Sequence, residues 1–152
     1  MRYTGKKGWQ ASYKDTWSLD YCLSPIILAG LKKFREVITA DKHNKGIPAS
    51  YITWDGDGRE EEHDKAFDMF VSDLDKMIYA FDPSSKPDMN DYSFSFVEGP
   101  HHGEKEGACR LYDMFPSNAV EYSKLLEDEG EHERAVQEGL ALFSKLYHNL
   151  WW

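Results

Sequence analysis

Between Glu61 and Phe81 the apolar residues Phe67, Phe70, Val71, Leu74, Met77, Ile78 and Phe81 recur at three- and four-residue steps. That period fits one face of an α-helix and excludes a strand, whose faces alternate every second residue. A stripe this wide has to be buried, so other parts of the chain must present a matching apolar surface. Glu60, Glu61 and Glu62 open the segment, where negative charge suits the positive end of the helix dipole. Pro83 closes it.

Two further segments offer that surface. From about Thr16 to Thr39, Leu23, Ile27, Leu31, Phe34 and Ile38 keep a helical phase, and Trp17, Tyr21 and Leu28 extend it. Pro25 lies inside this pattern, and the unbroken phase predicts one kinked helix rather than a helix that begins near Ser24 with Pro25 in its first turn. The third segment runs from about Ser117 to Trp151. Ser117 reads as its N-cap, Val120, Leu125 and Leu126 begin it, and Val136, Leu140, Phe143, Tyr147 and Leu150 form a second stripe. The polar run Glu127 to Glu133, with Gly130 at its centre, predicts a break or bend between the two halves. Residues 41–59 read as a loop. Within 84–116, Tyr92 to Val97 alternates apolar and polar residues, and Ala108 to Met114 is a candidate partner strand. The expected fold is mainly α: a three- to four-helix bundle, one domain over 1–152, with a long loop or small β-hairpin inserted before the last helix at about 84–116.

Charge narrows the function classes. Met1 to Trp54 holds nine Lys/Arg and four Asp/Glu, a net of +5; Asp55 to Glu133 holds seven against 22, a net of −15. An acidic middle of this size repels a phosphate backbone, so general nucleic-acid binding is not expected. The same asymmetry would let subunits attract one another as a homo-oligomer. The most apolar stretch, Cys22 to Leu31, is too short for a membrane span of ~20 residues, and no apolar run follows Lys6, Lys7 and Lys14 as a secretory leader would require. Cys22 and Cys109 have no zinc spacing and are expected as reduced thiols of a cytosolic protein.

Three blocks of exact residues resemble a family of small, largely uncharacterised proteins encoded by tailed bacteriophages. The first is Trp17-Ser18-Leu19-Asp20, Ile26-Ile27-Leu28 and Leu31-Lys32-Lys33-Phe34, followed by Gly46-Ile47-Pro48. The second is Trp54 with Asp75-Lys76-Met77-Ile78-Tyr79-Ala80-Phe81. The third is Glu138-Gly139-Leu140-Ala141-Leu142-Phe143 with Leu150-Trp151. Where the family often has a proline before its Leu-Lys-x-Phe element, this chain has Ala29-Gly30. The resemblance implies a viral accessory protein acting in the host bacterial cytoplasm, and it carries no catalytic residues with it.

Glu60 with His63 and Glu129 with His132 are both Glu-x-x-His steps, the spacing of carboxylate-bridged di-metal bundles. Both sit at the edges of predicted helices in acidic runs, so chance is the plainer source. His101 and His102, beside Glu104 and Glu106, lie in a Gly- and Pro-flanked turn, where binding residues are common. Asp55-Gly56-Asp57-Gly58 lacks the ligand spacing of a calcium loop and reads as a turn. No nucleophile elbow or phosphate loop occurs. Aromatics make up 14% of the chain, and Trp9, Tyr13, Tyr51, Trp54 and Tyr92 fall outside the helical stripes. Aromatics with a polar handle suit binding surfaces, although loops packed on a helical core would use them equally. The expectation is therefore a non-enzymatic binder that counters host defence by holding a host protein or sequestering a nucleotide-like ligand. Trp9, Tyr13, Tyr51, Trp54, Tyr92, His101 and His102 would make its contacts, and neither cofactor nor membrane is involved. The alternative is a metal-dependent enzyme using Glu60, His63, Glu129 and His132.

Overall fold

In the computed structural model, residues 2–5, 8–10, 12–13, 18–40, 47–52, 60–98 and 112–150 are described. The elements follow in chain order as β1 (Arg2–Thr4), β2 (Gly8–Gln10), α1 (Leu19–Ala40), α2 (Glu60–Phe81), β3 (Phe94–Glu98), β4 (Tyr112–Pro116) and α3 (Ala119–Leu146), with short 3-10 turns between and after them. The fold is mainly α, with a two-stranded antiparallel hairpin before the last helix. No helix among the described residues is long and apolar enough to cross a membrane.

The chain divides into two compact units. The first comprises 1–85 and 134–152. Its core is the α2 stripe met by two other helices: Phe67, Phe70, Leu74, Met77 and Phe81 pack with Leu31 and Ile38 of α1 and Leu146 of α3. Full burial of each such side chain contributes about 1.5–3 kcal/mol. Phe34 meets Phe70 edge-on at 6.2 Å, and Phe81 meets Phe143 at 5.0 Å. Polar ties run along the rims. Arg35 forks onto Asp75, Lys32 reaches Asp82 at 2.8 Å, and Lys76 reaches Glu138 at 2.7 Å. Contacts from Lys32 to Asp82 and from Arg35 to Asp75 mean that α1 and α2 run antiparallel. The Asp82 carboxyl is pulled down to about 2, first by Lys32 and then by the Ser84 hydroxyl and N–H.

α1 is a single helix with Pro25 inside it, as the phase predicts. Its packed residues begin at Ile27, and Tyr21 is 77% exposed, so the predicted apolar surface does not extend to the first turn. α3 also departs from expectation. It runs as one helix through Gly130 rather than in two pieces, because strong helix formers flank one glycine whose cost is only about 1 kcal/mol. The residue that caps it is Asn118 rather than Ser117: the Asn118 Oδ1 accepts the N–H groups of Val120 and Glu121, each at 3.0 Å. Its inward face is also rotated from the predicted one. Gly139 and Leu146 are buried and Leu142, Phe143 and Leu150 are half-buried, whereas Leu140 and Tyr147 are exposed. The cause is Gly139. A Cβ there would collide with the Lys76 carbonyl and sit 2.6 Å from the Ala80 Cβ, so the missing side chain lets α3 close on α2.

The short hairpin β1–β2 pairs Tyr3 with Trp9. Strands of three residues carry too little alternation to be read in advance.

The second unit spans 86–133 and holds the β3–β4 hairpin and the first half of α3. Phe94 pairs with Pro116, Phe96 with Met114 and Glu98 with Tyr112. Tyr92 is its one buried apolar side chain among the described residues. The Tyr92 hydroxyl donates to Asp128 at 2.7 Å, and the Lys124 ammonium lies 5.0 Å from its ring centre. The Ser93 N–H donates to Glu121, and the Ser117 N–H to the Ser93 carbonyl. Polar bonds rather than apolar burial hold this unit together.

Candidate functional site

A groove of about 610 Å³ opens in the first unit. One wall is a single helical stripe of α1: Ile27, Gly30, Leu31 and Phe34, at positions i, i+3, i+4 and i+7. The other wall is the end of α3 and the 3-10 turn that follows it, with Phe143, Tyr147, His148 and Leu150. Gly30 is what keeps the space open. It occupies the i+3 position of a packed stripe, yet a Cβ built there meets nothing within 4 Å. An ordinary apolar residue at that point would stand in the groove.

The second wall is a run of rings set edge to face. Phe143 meets Tyr147 at 5.6 Å and 64°, and Tyr147 meets His148 at 5.4 Å and 68°. Such tilted rings expose both electron-rich faces and electron-poor edges to a flat guest. No Asp, Glu, Lys or Arg lines the groove among the described residues. Tyr147 and His148 are the lining residues that carry polar side-chain groups. The volume lies within the roughly 300–1,000 Å³ of small-molecule sites, and the walls are mostly apolar.

Compared with protein families, with curated proteins and with solved structures, the chain matches none.

Of the residues singled out in the sequence, the described ones fall elsewhere. Tyr51 is half-buried in the first unit. Its ring lies 5.3 Å from that of Phe70, and its hydroxyl donates to Asp73. Burial, and then that carboxylate, push the Tyr51 hydroxyl well above the ordinary phenol range. Tyr92 is taken up in the second unit by its bond to Asp128. Tyr13 is exposed. Trp9 lies in β2, and its side chain is outside the described set; Trp54, His101 and His102 are outside the described residues altogether.

Of the metal alternative, Glu60 opens α2, although its side chain is not described, and His63 stands half-buried one turn further on. Glu129 and His132 lie on α3 in the second unit, Glu129 exposed and His132 half-buried. Among the described residues no three His, Cys, Asp or Glu side chains gather as a metal site. Gly30 and His148 were not anticipated as site residues. A glycine inside an apolar helical stripe was the available signal, since a gap there is a notch in the packed face. His148 carried none, because its ring joins the groove only through the turn after α3.

Proposed function

We propose that this is a viral accessory protein of the bacterial cytoplasm that acts by binding and not by catalysis, sequestering a nucleotide-like ligand by its flat base. The observation that supports this reading is the groove walled by Phe34, Phe143, Tyr147 and His148 and opened by Gly30. Its walls suit a heteroaromatic ring, with Tyr147 and His148 available to a ring nitrogen or carbonyl. With no Lys or Arg in the lining among the described residues and a chain of net charge −9, recognition rests on the base and not on the phosphate.

The test is calorimetric titration of the purified protein with a panel of nucleosides and their monophosphates. A nucleoside is expected to bind at least as tightly as its monophosphate. Gly30→Leu, which fills open space and leaves the core untouched, is expected to weaken binding about tenfold or more, or 1.4 kcal/mol. Binding that survives Gly30→Leu unchanged, or no heat with any base, would sink the groove as the ligand site. Loss of protection against host defence by Gly30→Leu in infected cells, with expression unchanged, ties the groove to the biological role.

A further inference from the structure

The β3–β4 hairpin carries large apolar side chains on both faces and pairs with no third strand among the described residues. Cross-strand partners share a face, so Phe94, Phe96, Tyr112, Met114 and Pro116 lie on one side of it. Phe96 is 65% exposed and Met114 48%. On the other side Val97 and Phe115 are also exposed. A lone two-stranded hairpin is marginal in water, and a third strand is the ordinary way to stabilise one.

The register tells which edge is ready. Ser117 donates to the Ser93 carbonyl at 2.9 Å, one step before the Phe94–Pro116 pair. Antiparallel pairs alternate between bonded and non-bonded, so Ser95–Phe115 and Val97–Asp113 exchange bonds inside the hairpin. Phe94, Phe96 and Glu98 therefore turn their N–H and C=O groups to the outer side of β3. On β4 the corresponding residues are Tyr112, Met114 and Pro116, and Pro116 has no N–H to give. The β3 edge is complete, whereas the β4 edge is blunted.

Charge selects the occupant. Residues 86–133 hold four Lys/Arg against twelve Asp/Glu, a net of −8. A second copy pairing through the same unit would bring −8 against −8, and a nucleic acid would bring phosphates, so both are repelled. We propose that the outer edge of β3 docks an extended segment of a partner protein, four to six residues long, in which Lys or Arg alternates with apolar residues. The segment adds as a third strand. Its backbone bonds to Phe94, Phe96 and Glu98, its apolar side chains continue the Phe96–Met114 strip, and its cations answer the acidic unit. This surface is independent of the groove.

The test uses a labelled eight-residue peptide of alternating Lys and Val, followed by fluorescence anisotropy on the full chain. Two controls accompany it: Glu in place of Lys, and N-methylation of alternate residues, which removes the pairing N–H groups and keeps the charge. The parent peptide is expected to bind, the methylated one about tenfold more weakly and the Glu peptide not measurably. Bound peptide slows amide exchange at Phe94, Phe96 and Glu98. Phe96→Pro, which deletes an outward N–H and no ladder bond, abolishes binding. Should that variant unfold the hairpin, Phe96→Lys keeps the backbone and is expected to weaken binding by charge. Equal binding of methylated and parent peptides would reduce the effect to charge attraction and overturn the proposal. So would no binding of the parent, or a dimer in sedimentation that Phe96→Lys dissolves.

Discussion

Gly139 and Tyr92 decide more than their size suggests. At Gly139 the backbone of α3 approaches α2 so closely that a methyl group has nowhere to go, with the Lys76 carbonyl and Ala80 in its place. Gly139→Ala is expected to destabilise the protein by about 1–3 kcal/mol, the usual cost of overpacking, although alanine is the better helix former. The check is a lower urea midpoint at unchanged slope. Tyr92 makes the second unit sensitive to alkali. Its bond to Asp128, and then its burial, raise the hydroxyl to about 12 from an ordinary 10.0. A raised value means that the protonated phenol is favoured in the folded state. This contribution is therefore fully present below pH 10 and is lost as pH rises from 10 to about 12. The stability difference between wild type and Tyr92→Phe should shrink across that window and be flat between pH 7 and 9. Thermal melts followed by circular dichroism read it directly. Neither role was legible beforehand, because a glycine has no hydropathy to count and a tyrosine outside a stripe does not name its partner.

At the scale of elements, periodicity was a good guide wherever a stripe was long. α2 spans Glu60–Phe81 as its spacing predicts, and α1 keeps Pro25 inside one helix. The expected break in α3 does not occur, since one glycine among glutamates costs only about 1 kcal/mol. Gly130 meets nothing within 4 Å of a built Cβ, so Gly130→Ala should stabilise α3 by about 0.5–1 kcal/mol. A higher melting temperature with unchanged helical ellipticity is the expected readout. A loss of stability would mean that the glycine serves a contact. The α3 face was misjudged for a related reason. Counting apolar residues picks Leu140 and Tyr147, which are exposed, but the closest approach at Gly139 turns Leu142 and Leu146 inward.

For the whole molecule, the two units are stabilised differently. The first has eight buried apolar residues in one cluster, and the second buries Tyr92 and leans on hydrogen bonds among the described residues. Opening free energy follows buried apolar contact, so the amides of Ser93 and Ser117 should exchange well before those of Phe70 to Met77. Native-state hydrogen exchange resolves this, and equal protection across both units would mean a single cooperative fold. The charge division has its counterpart here, with a net of −8 over 86–133 out of −9 for the chain.

Helix positions, the α2 core and the inserted hairpin were determined by sequence alone, because hydrophobic period and turn chemistry act between residues a few steps apart. The groove was decided only by tertiary structure. Its walls come from residues more than a hundred positions apart, Ile27 to Phe34 and Phe143 to Leu150, and its opening depends on a side chain that Gly30 does not have. Local patterns record which residues seek burial. They do not record where packing stops short, and this groove is such a place.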